Sequence, residues 1–335
     1  MAKSQNIKYL VLWVTRNCNL MCKYCYAKEN FKKENMNYDI AKKAIDLLDE
    51  NSTLVIAGGE PLLNFDLVKK ICDYIKYKNL KVKISMQTNA TLIDEDIAKQ
   101  IKKYGIGIGV SIDGMPKINE LTRGKTKDTL RGISILKDSN IPIYINSVVS
   151  NLNIDKLDTL SELCLYFENI KGIGLDLLRQ TPDKNVEKPD LNKIKESLIN
   201  LYDKTKDIER LTGRKIFIRE IEDCQKRLDN NYFSCNYCYA SKAQSAVVIP
   251  KGDMYMCSSL VGNKNYYLGN IDEGFTLKNL ENPIYDECRT CKYFKHCKKI
   301  CPSRAIMNKV GNIISKEDCI LRKACFYIIE NRRGN

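Results

Sequence analysis

Fifteen cysteines share this 335-residue chain with a single histidine, His296, and most of the cysteines fall into two arrays. Secreted disulfide frameworks are small and evenly counted. This chain is long, its cysteine count is odd, and Met1–Lys8 has no signal-peptide pattern. Cysteines grouped at short spacings in such a chain usually hold metal. One histidine argues against Ser–His–Asp catalysis, His-rich zinc sites and His/carboxylate iron centres. Thiolate-only ligation leaves zinc or iron–sulfur clusters.

The first array is Cys18-Asn-Leu-Met-Cys22-Lys-Tyr-Cys25. Three thiolates on one tight loop can bind three irons of a cubane and leave the fourth open, whereas an electron-transfer cluster usually fills all four corners with cysteine. The alternatives are a zinc knuckle or three buried thiols, although zinc prefers C-x2-C pairs and four ligands.

Around this array the first part of the chain alternates strand and helix patterns. Strands are expected at Tyr9–Val14, Leu54–Ala57, Lys81–Met86, Gly107–Ile112, Ile141–Val149 and Gly172–Leu177. Helices are expected at Asp39–Asp49, Asp66–Tyr77, Asp94–Lys103, Lys127–Lys137 and Ile154–Phe167. Crossovers of that length imply parallel strands and an α/β fold. Six βα units are too few for a closed barrel, so a partial (β/α)6 TIM-like barrel is expected, with ligands at the strands' C-terminal ends; an open doubly wound sheet is the alternative. Leu191–Arg210 reads as a helical connector. From about Cys235 the chain is cysteine-dense and turn-rich, as in a small metal-stapled unit. The expected division is 1–190 for the partial barrel, 191–230 for the connector and 231–335 for the cysteine-rich domain.

The formal charge of +14 invites an acidic partner. Ligated clusters are net negative and the lysines are spread along the chain, so a nucleic-acid partner is not expected. No stretch approaches the ~20 apolar residues of a membrane helix, and a cytoplasmic protein without membrane contact is expected. Neither G-x-G-x-x-G after the first strand nor a P-loop is present.

Several strand ends carry further motifs. Gly58-Gly59-Glu60-Pro61 follows the second strand, Gln87-Thr88-Asn89 the third, and Ser111-Ile112-Asp113-Gly114 closes the fourth. Two glycines permit close backbone approach, and a carboxylate can take bonds from an ammonium. Each segment is also ordinary turn chemistry. Taken with C-x3-C-x2-C, they resemble the radical S-adenosylmethionine (SAM) superfamily, in its SPASM-type branch. The resemblance implies that Cys18, Cys22 and Cys25 hold a catalytic [4Fe–4S] cluster whose open iron takes the amine and carboxylate of SAM. Tyr24 matches the aromatic position before the third cysteine. The Gly58–Glu60 turn would hold the methionine amino group, Thr88 and Asn89 would lie near the ribose, and Ser111 and Arg123 would contact the carboxylate. A guanidinium is well suited to that last task. Asp113 belongs to the same signature.

The second array runs Cys238, Gly252-x4-Cys257, Cys288-x2-Cys291-x5-Cys297-x3-Cys301-Pro302 and Cys319. It resembles the seven-cysteine SPASM pattern, which implies two auxiliary [4Fe–4S] clusters. Cys288, Cys291, Cys297 and Cys319 would hold the outer one, and Cys238, Cys257 and Cys301 the inner one. Its fourth ligand is Cys235, Cys224 or none. A treble-clef or ribbon-like zinc domain is the alternative. Cys72, Cys164 and Cys325 read as core thiols, and His296 as a local hydrogen-bonding or exposed side chain.

What the resemblance implies about activity is reductive cleavage of SAM to a 5′-deoxyadenosyl radical, which abstracts hydrogen from a peptidyl substrate. Oxidation, cross-linking or epimerisation would follow, with a ferredoxin- or flavodoxin-like electron donor as partner. In the sulfatase-maturing branch an Asp follows the cysteine matching Cys257; here that residue is Ser258. Only 17 residues precede Cys18, so a separate leader-binding protein, the open barrel face or leader-free recognition is expected. Remaining alternatives are a sulfatase-type maturase, a small-molecule radical SAM enzyme, and a non-catalytic iron–sulfur or zinc protein for electron transfer or RNA binding.

Overall fold

The computed structural model describes residues 7–27, 34–180, 186–233, 236–309 and 316–332. The first half runs β1 (Ile7–Thr15), α1 (Tyr38–Ile45), β2 (Leu48–Gly58), α2 (Phe65–Tyr77), β3 (Val82–Thr88), α3 (Glu95–Tyr104), β4 (Gly107–Ser111), α4 (Pro116–Thr122), α5 (Thr126–Asp138), β5 (Ile143–Val149), α6 (Leu160–Tyr166) and β6 (Ile170–Leu177). The second half continues with α7 (Leu191–Thr212), β7 (Phe217–Ile218), α8 (Arg219–Asp229), β8 (Ser245–Val248), β9 (Asp253–Tyr255), β10 (Tyr267–Asn270), β11 (Gly274–Phe275), α9 (Asp286–Arg289), α10 (Pro302–Met307) and α11 (Glu317–Asn331).

Strands β1 to β7 lie side by side in chain order and all are parallel. Period-two alternation sorts their side chains. Leu10, Leu12, Leu54, Ile56, Ile108, Val110, Ile145, Ile173 and Leu175 join the main core with the apolar stripes of the helices. The alternate residues face the other way, and this inner face carries Val11, Trp13, Val55 and Ala57 beside Cys25 and Tyr26. Helices thus cover one face, and the strand tips and inner face are left for ligands, as the sequence pattern predicts. The ends follow local chemistry: Asp94 caps α3 by accepting from the Ile97 amide at 2.7 Å, and Gly105 closes that helix with φ of 62°.

The structure differs from the sequence expectation in three places. The helix expected over Asp39–Asp49 ends at Ile45, and Leu48 and Asp49 open β2 instead. Leu48 pairs with Ile7, so a ladder to a distant strand overrides the local 3.6 period. The helix expected over Ile154–Phe167 is a 3-10 segment kinked at Lys156, followed by α6. Most consequential, the cysteine-rich region contributes strands: β8 pairs in parallel with β1, and β9, β10 and β11 extend the same sheet to its edge. The segment Ser245-Ala-Val-Val248 is buried throughout because β1 and β9 flank it.

Candidate active site

The cysteine loop leaves the C-terminal tip of β1 and docks on the tips of β5 and β6. Leu20, Cys22 and Tyr24 pack with Val148, Leu178 and Val186, and the Lys23 amide bonds the Thr122 carbonyl at 2.9 Å. Gly58 and Gly59 brace its start. A Cβ on Gly58 would stand 2.2 Å from the Thr15 carbonyl oxygen, and one on Gly59 would stand 2.1 Å from that of Asn17 and 3.0 Å from Cys18 Cβ. The double glycine therefore lets the tip of β2 touch the cysteine loop itself. Replacing Gly59 with alanine is expected to cost about 1–3 kcal/mol and to lower iron loading at the loop, read by thermal denaturation and iron analysis.

Glu60 follows, buried to 1% exposure. Its Oε1 accepts from Thr88 Oγ1 at 2.7 Å and the Leu62 amide at 3.1 Å, and its Oε2 from the Asn89 amide at 2.8 Å. Burial raises its pKa, and these bonds oppose the rise. Asn89 also donates to Asn19 Oδ1 at 2.9 Å, tying the third strand tip to the cysteine loop. On the far side Tyr24 donates to Asp113 Oδ2, whose Oδ1 accepts the Val148 amide at 2.9 Å. Arg123 Nη1 reaches the Tyr24 hydroxyl at 2.5 Å and Asp113 at 4.0 Å. Asp113 thus commits its carboxylate to the protein and holds Tyr24 and Arg123 in place. The buried Nε of Arg123 has no hydrogen-bond partner among the described residues, a donor suited to an incoming carboxylate. Ser111 accepts from Gln87 at 2.9 Å, the first rung of a ladder across the inner face: Asn146 donates to Gln87 at 3.1 Å, and Arg219 to Asn146 at 3.0 Å.

The donor set fits an iron–sulfur cluster. Burial, followed by crowding from Glu60, Cys22 and Cys25, pushes the Cys18 thiol up to about 11. Such a group of acids needs a cation to ionise together, and bound iron supplies one. Among the described residues no three His, Cys, Asp or Glu side chains stand close enough to share a single ion; a cubane, with irons at separate corners, asks its thiolates to stand further apart.

The second array gathers in two places. Cys288, Cys291, Cys297 and Cys319 line one open cavity with Lys299, Lys316, Arg322 and Lys323, whose positive charge outweighs that of the single lining carboxylate, Glu287, and suits a negative cluster. Cys238 sits within electrostatic reach of Cys257 and Cys301, and burial first, then these two thiols, raises its pKa. Cys235 lies outside the described residues. Cys224 is buried within electrostatic reach of Cys325 and Arg322. Cys72, Cys164 and Cys325 are buried. His296 Nδ1 meets the Arg227 carbonyl at 3.2 Å, and its ring leans on Phe233.

Sequence reasoning missed a charged cluster between these places. Asp176, inward-facing on β6, binds Arg179 at 2.6 Å and Arg304 at 2.6 Å, and Arg304 forms two bonds to Asp318 at 2.8 and 2.7 Å. Its only sequence signal is Arg304 and Asp318 sitting close to Cys301 and Cys319. Tyr26, next to Cys25, lies within electrostatic reach of Arg179, Cys257 and Asp176. Arg179 therefore links Tyr26, beside the thiolate loop, to Cys301 of the inner cysteine group, whose sulfur lies 3.7 Å from its Nη2.

A helix-lined parallel sheet with three thiolates, a buried carboxylate and a cation at its strand tips defines a cluster-dependent enzyme class. The Radical SAM superfamily model matches residues 13–164. The protein MJ0907 of Methanocaldococcus jannaschii is 38% identical over 81% of this chain and 91% of its own length. The radical SAM cyclopropyl synthase TigE of Paramaledivibacter caminithermalis is 25% identical over 99% of this chain and 75% of its own. The solved structure of anSMEcpe with bound AdoMet superposes with a TM-score of 0.81 at 24% identity, over 96% of this chain and 93% of that one; anSMEcpe is also solved with AdoMet and a Kp18Cys peptide. That likeness establishes the fold. Residues 13–164 are a radical SAM domain, of a family that uses a [4Fe–4S] cluster and SAM, and the cysteine-rich C-terminal region is consistent with auxiliary clusters. No described helix is long and apolar enough to cross a membrane.

Proposed function

We propose that this enzyme modifies a peptidyl substrate by hydrogen abstraction, with oxidation, cross-linking or epimerisation as the outcome. The observation that carries the reading is the contact at Arg179, which meets Cys301 Sγ at 3.7 Å and Asp176 at 2.6 Å and lies within electrostatic reach of Tyr26, the neighbour of Cys25. A substrate there could give up hydrogen at one end and an electron at the other. The peptide complex of anSMEcpe supports the substrate class. The division into 1–190, 191–230 and 231–335 is part of the same reading.

Cys18, Cys22 and Cys25 would hold the cluster. When bound, cluster and cosubstrate supply reductive cleavage of the sulfonium to methionine and a 5′-deoxyadenosyl radical. Glu60 would accept hydrogen bonds from the cosubstrate ammonium, and Arg123, whose guanidinium Tyr24 and Asp113 fix, would pair with its carboxylate. The Gly58–Gly59 contact and the apolar packing around Cys22 exclude water. Cys288, Cys291, Cys297 and Cys319 would hold the outer auxiliary cluster, and Cys238, Cys257, Cys301 and Cys235 the inner one. Ser258 in place of the Asp of the sulfatase-maturing branch weighs against a sulfatase as the substrate, the second reading.

Only the carboxylate form of Glu60 binds an ammonium well. Because burial raises its pKa, SAM affinity should fall on acidification at a higher pH than an exposed glutamate would dictate. Glu60→Gln should weaken binding and flatten that dependence; equal affinity in both proteins across pH would remove Glu60 from the site. The function is tested with anaerobically reconstituted, reduced protein. It should form 5′-deoxyadenosine from SAM and take up deuterium from a labelled peptide substrate. Iron-loaded protein that forms no deoxyadenosine rejects the reading, and deuterium uptake from a small metabolite alone rejects the peptide.

A further inference from the structure

We propose that Arg179 is a positioning residue that raises the reduction potential of the inner auxiliary cluster by holding its guanidinium against the Cys301 sulfur. The proposal rests on the reading above that Cys301 is a ligand there. Arg179 Nη2 lies 3.7 Å from Cys301 Sγ, and Nε lies 3.3 Å from Ser303 Oγ. The Ser303 hydroxyl is itself 3.3 Å from the same sulfur. One ligand atom thus meets a charged donor and a neutral one.

The guanidinium is not free to leave. Its Nη1 bonds Asp176 Oδ2 at 2.6 Å, and the other oxygen of Asp176 is taken by Arg304. Arg304 is clamped in turn by Asp318, with side-chain exposures of 4% and 3%. Arg179 is only 13% exposed, so its charge is poorly screened. Asp176 offsets that charge in part, but it is shared between two arginines.

Reducing a cluster adds one negative charge. A fixed cation and sulfur-directed donors stabilise that added charge, and hydrogen bonds to the sulfurs are among the factors that set such potentials. Arg179 follows β6 at the tips of the parallel strands, whereas Cys301 precedes α10. The contact therefore lets the substrate side of the fold bias the inner group as a one-electron acceptor.

The test uses protein carrying Cys18→Ala, Cys22→Ala and Cys25→Ala, so that only auxiliary clusters give electron paramagnetic resonance signals during a redox titration. Arg179→Gln should move one of the two signals to a more negative potential by about 59 mV, a tenfold change in a one-electron equilibrium, at unchanged iron content. Arg179→Lys should keep most of the potential, and Ser303→Ala should shift it the same way by less. An unmoved potential in fully loaded Arg179→Gln overturns the proposal. Should that variant fail to load, the lysine and serine variants decide: no shift in Ser303→Ala together with a potential in Arg179→Lys above the parent's rejects it. Two intact signals in Cys301→Ala would overturn the ligand reading instead, a distinct failure.

Discussion

Replacing Cys18, Cys22 and Cys25 together with alanine abolishes 5′-deoxyadenosine formation and leaves about eight of about twelve irons in the reconstituted protein. The three residues share one loop at the tip of β1 and are braced by Gly58, Gly59 and Tyr24. Losing them removes a complete site, and no other described cysteine joins that packing. The cysteines of the second array stand on other elements, and Cys288, Cys291, Cys297 and Cys319 have their own cavity, so the iron of the second array should remain. Iron analysis, visible absorbance and chromatography of the reaction products read the outcome together. Persisting deoxyadenosine would place SAM cleavage elsewhere in the chain. Loss of all iron would mean that the sites do not load independently.

Breaking the Arg304–Asp318 pair is expected to have the largest effect on stability. Both side chains are almost wholly buried and meet through two parallel bonds. Removing Arg304 leaves Asp318 an unpaired buried charge and costs about 3–5 kcal/mol, whereas removing Asp318 takes two bonds from a guanidinium that keeps Asp176. Arg304 also binds Asp176 and the Leu177 carbonyl, so Arg304→Ala loosens the end of β6 from α10 as well. The double variant Arg304→Met/Asp318→Leu should be less harmful than Arg304→Ala, because it does not leave Asp318 unpaired. Anaerobic denaturant titration of the loaded protein gives the comparison. A double variant worse than Arg304→Ala would show that geometry at Asp176 matters more than the buried charges.

Much of the molecule was legible because its signals are local. The helix and strand periods of the first half come from short-range sterics and amphipathicity, and they located β1 to β6 but neither β7 nor β8, the two further parallel strands. Where a helix pattern ran on too far, at Leu48, a ladder to Ile7 decided the outcome. The cysteine spacings and the Glu60 turn are local as well, since a loop that wraps a cluster must place its ligands a few residues apart.

The amino-acid sequence by itself determined that this chain is α/β, thiolate-rich and built around a three-cysteine loop, because each property depends on residues close along the backbone. Only the tertiary structure decided that β8 would extend the sheet beside β1, that the double glycine would press on the cysteine loop, and that Asp176 would bind Arg304. Those outcomes are contacts between segments far apart in the chain, chosen by packing and by the need to pair buried polar groups, and no short stretch of residues encodes them.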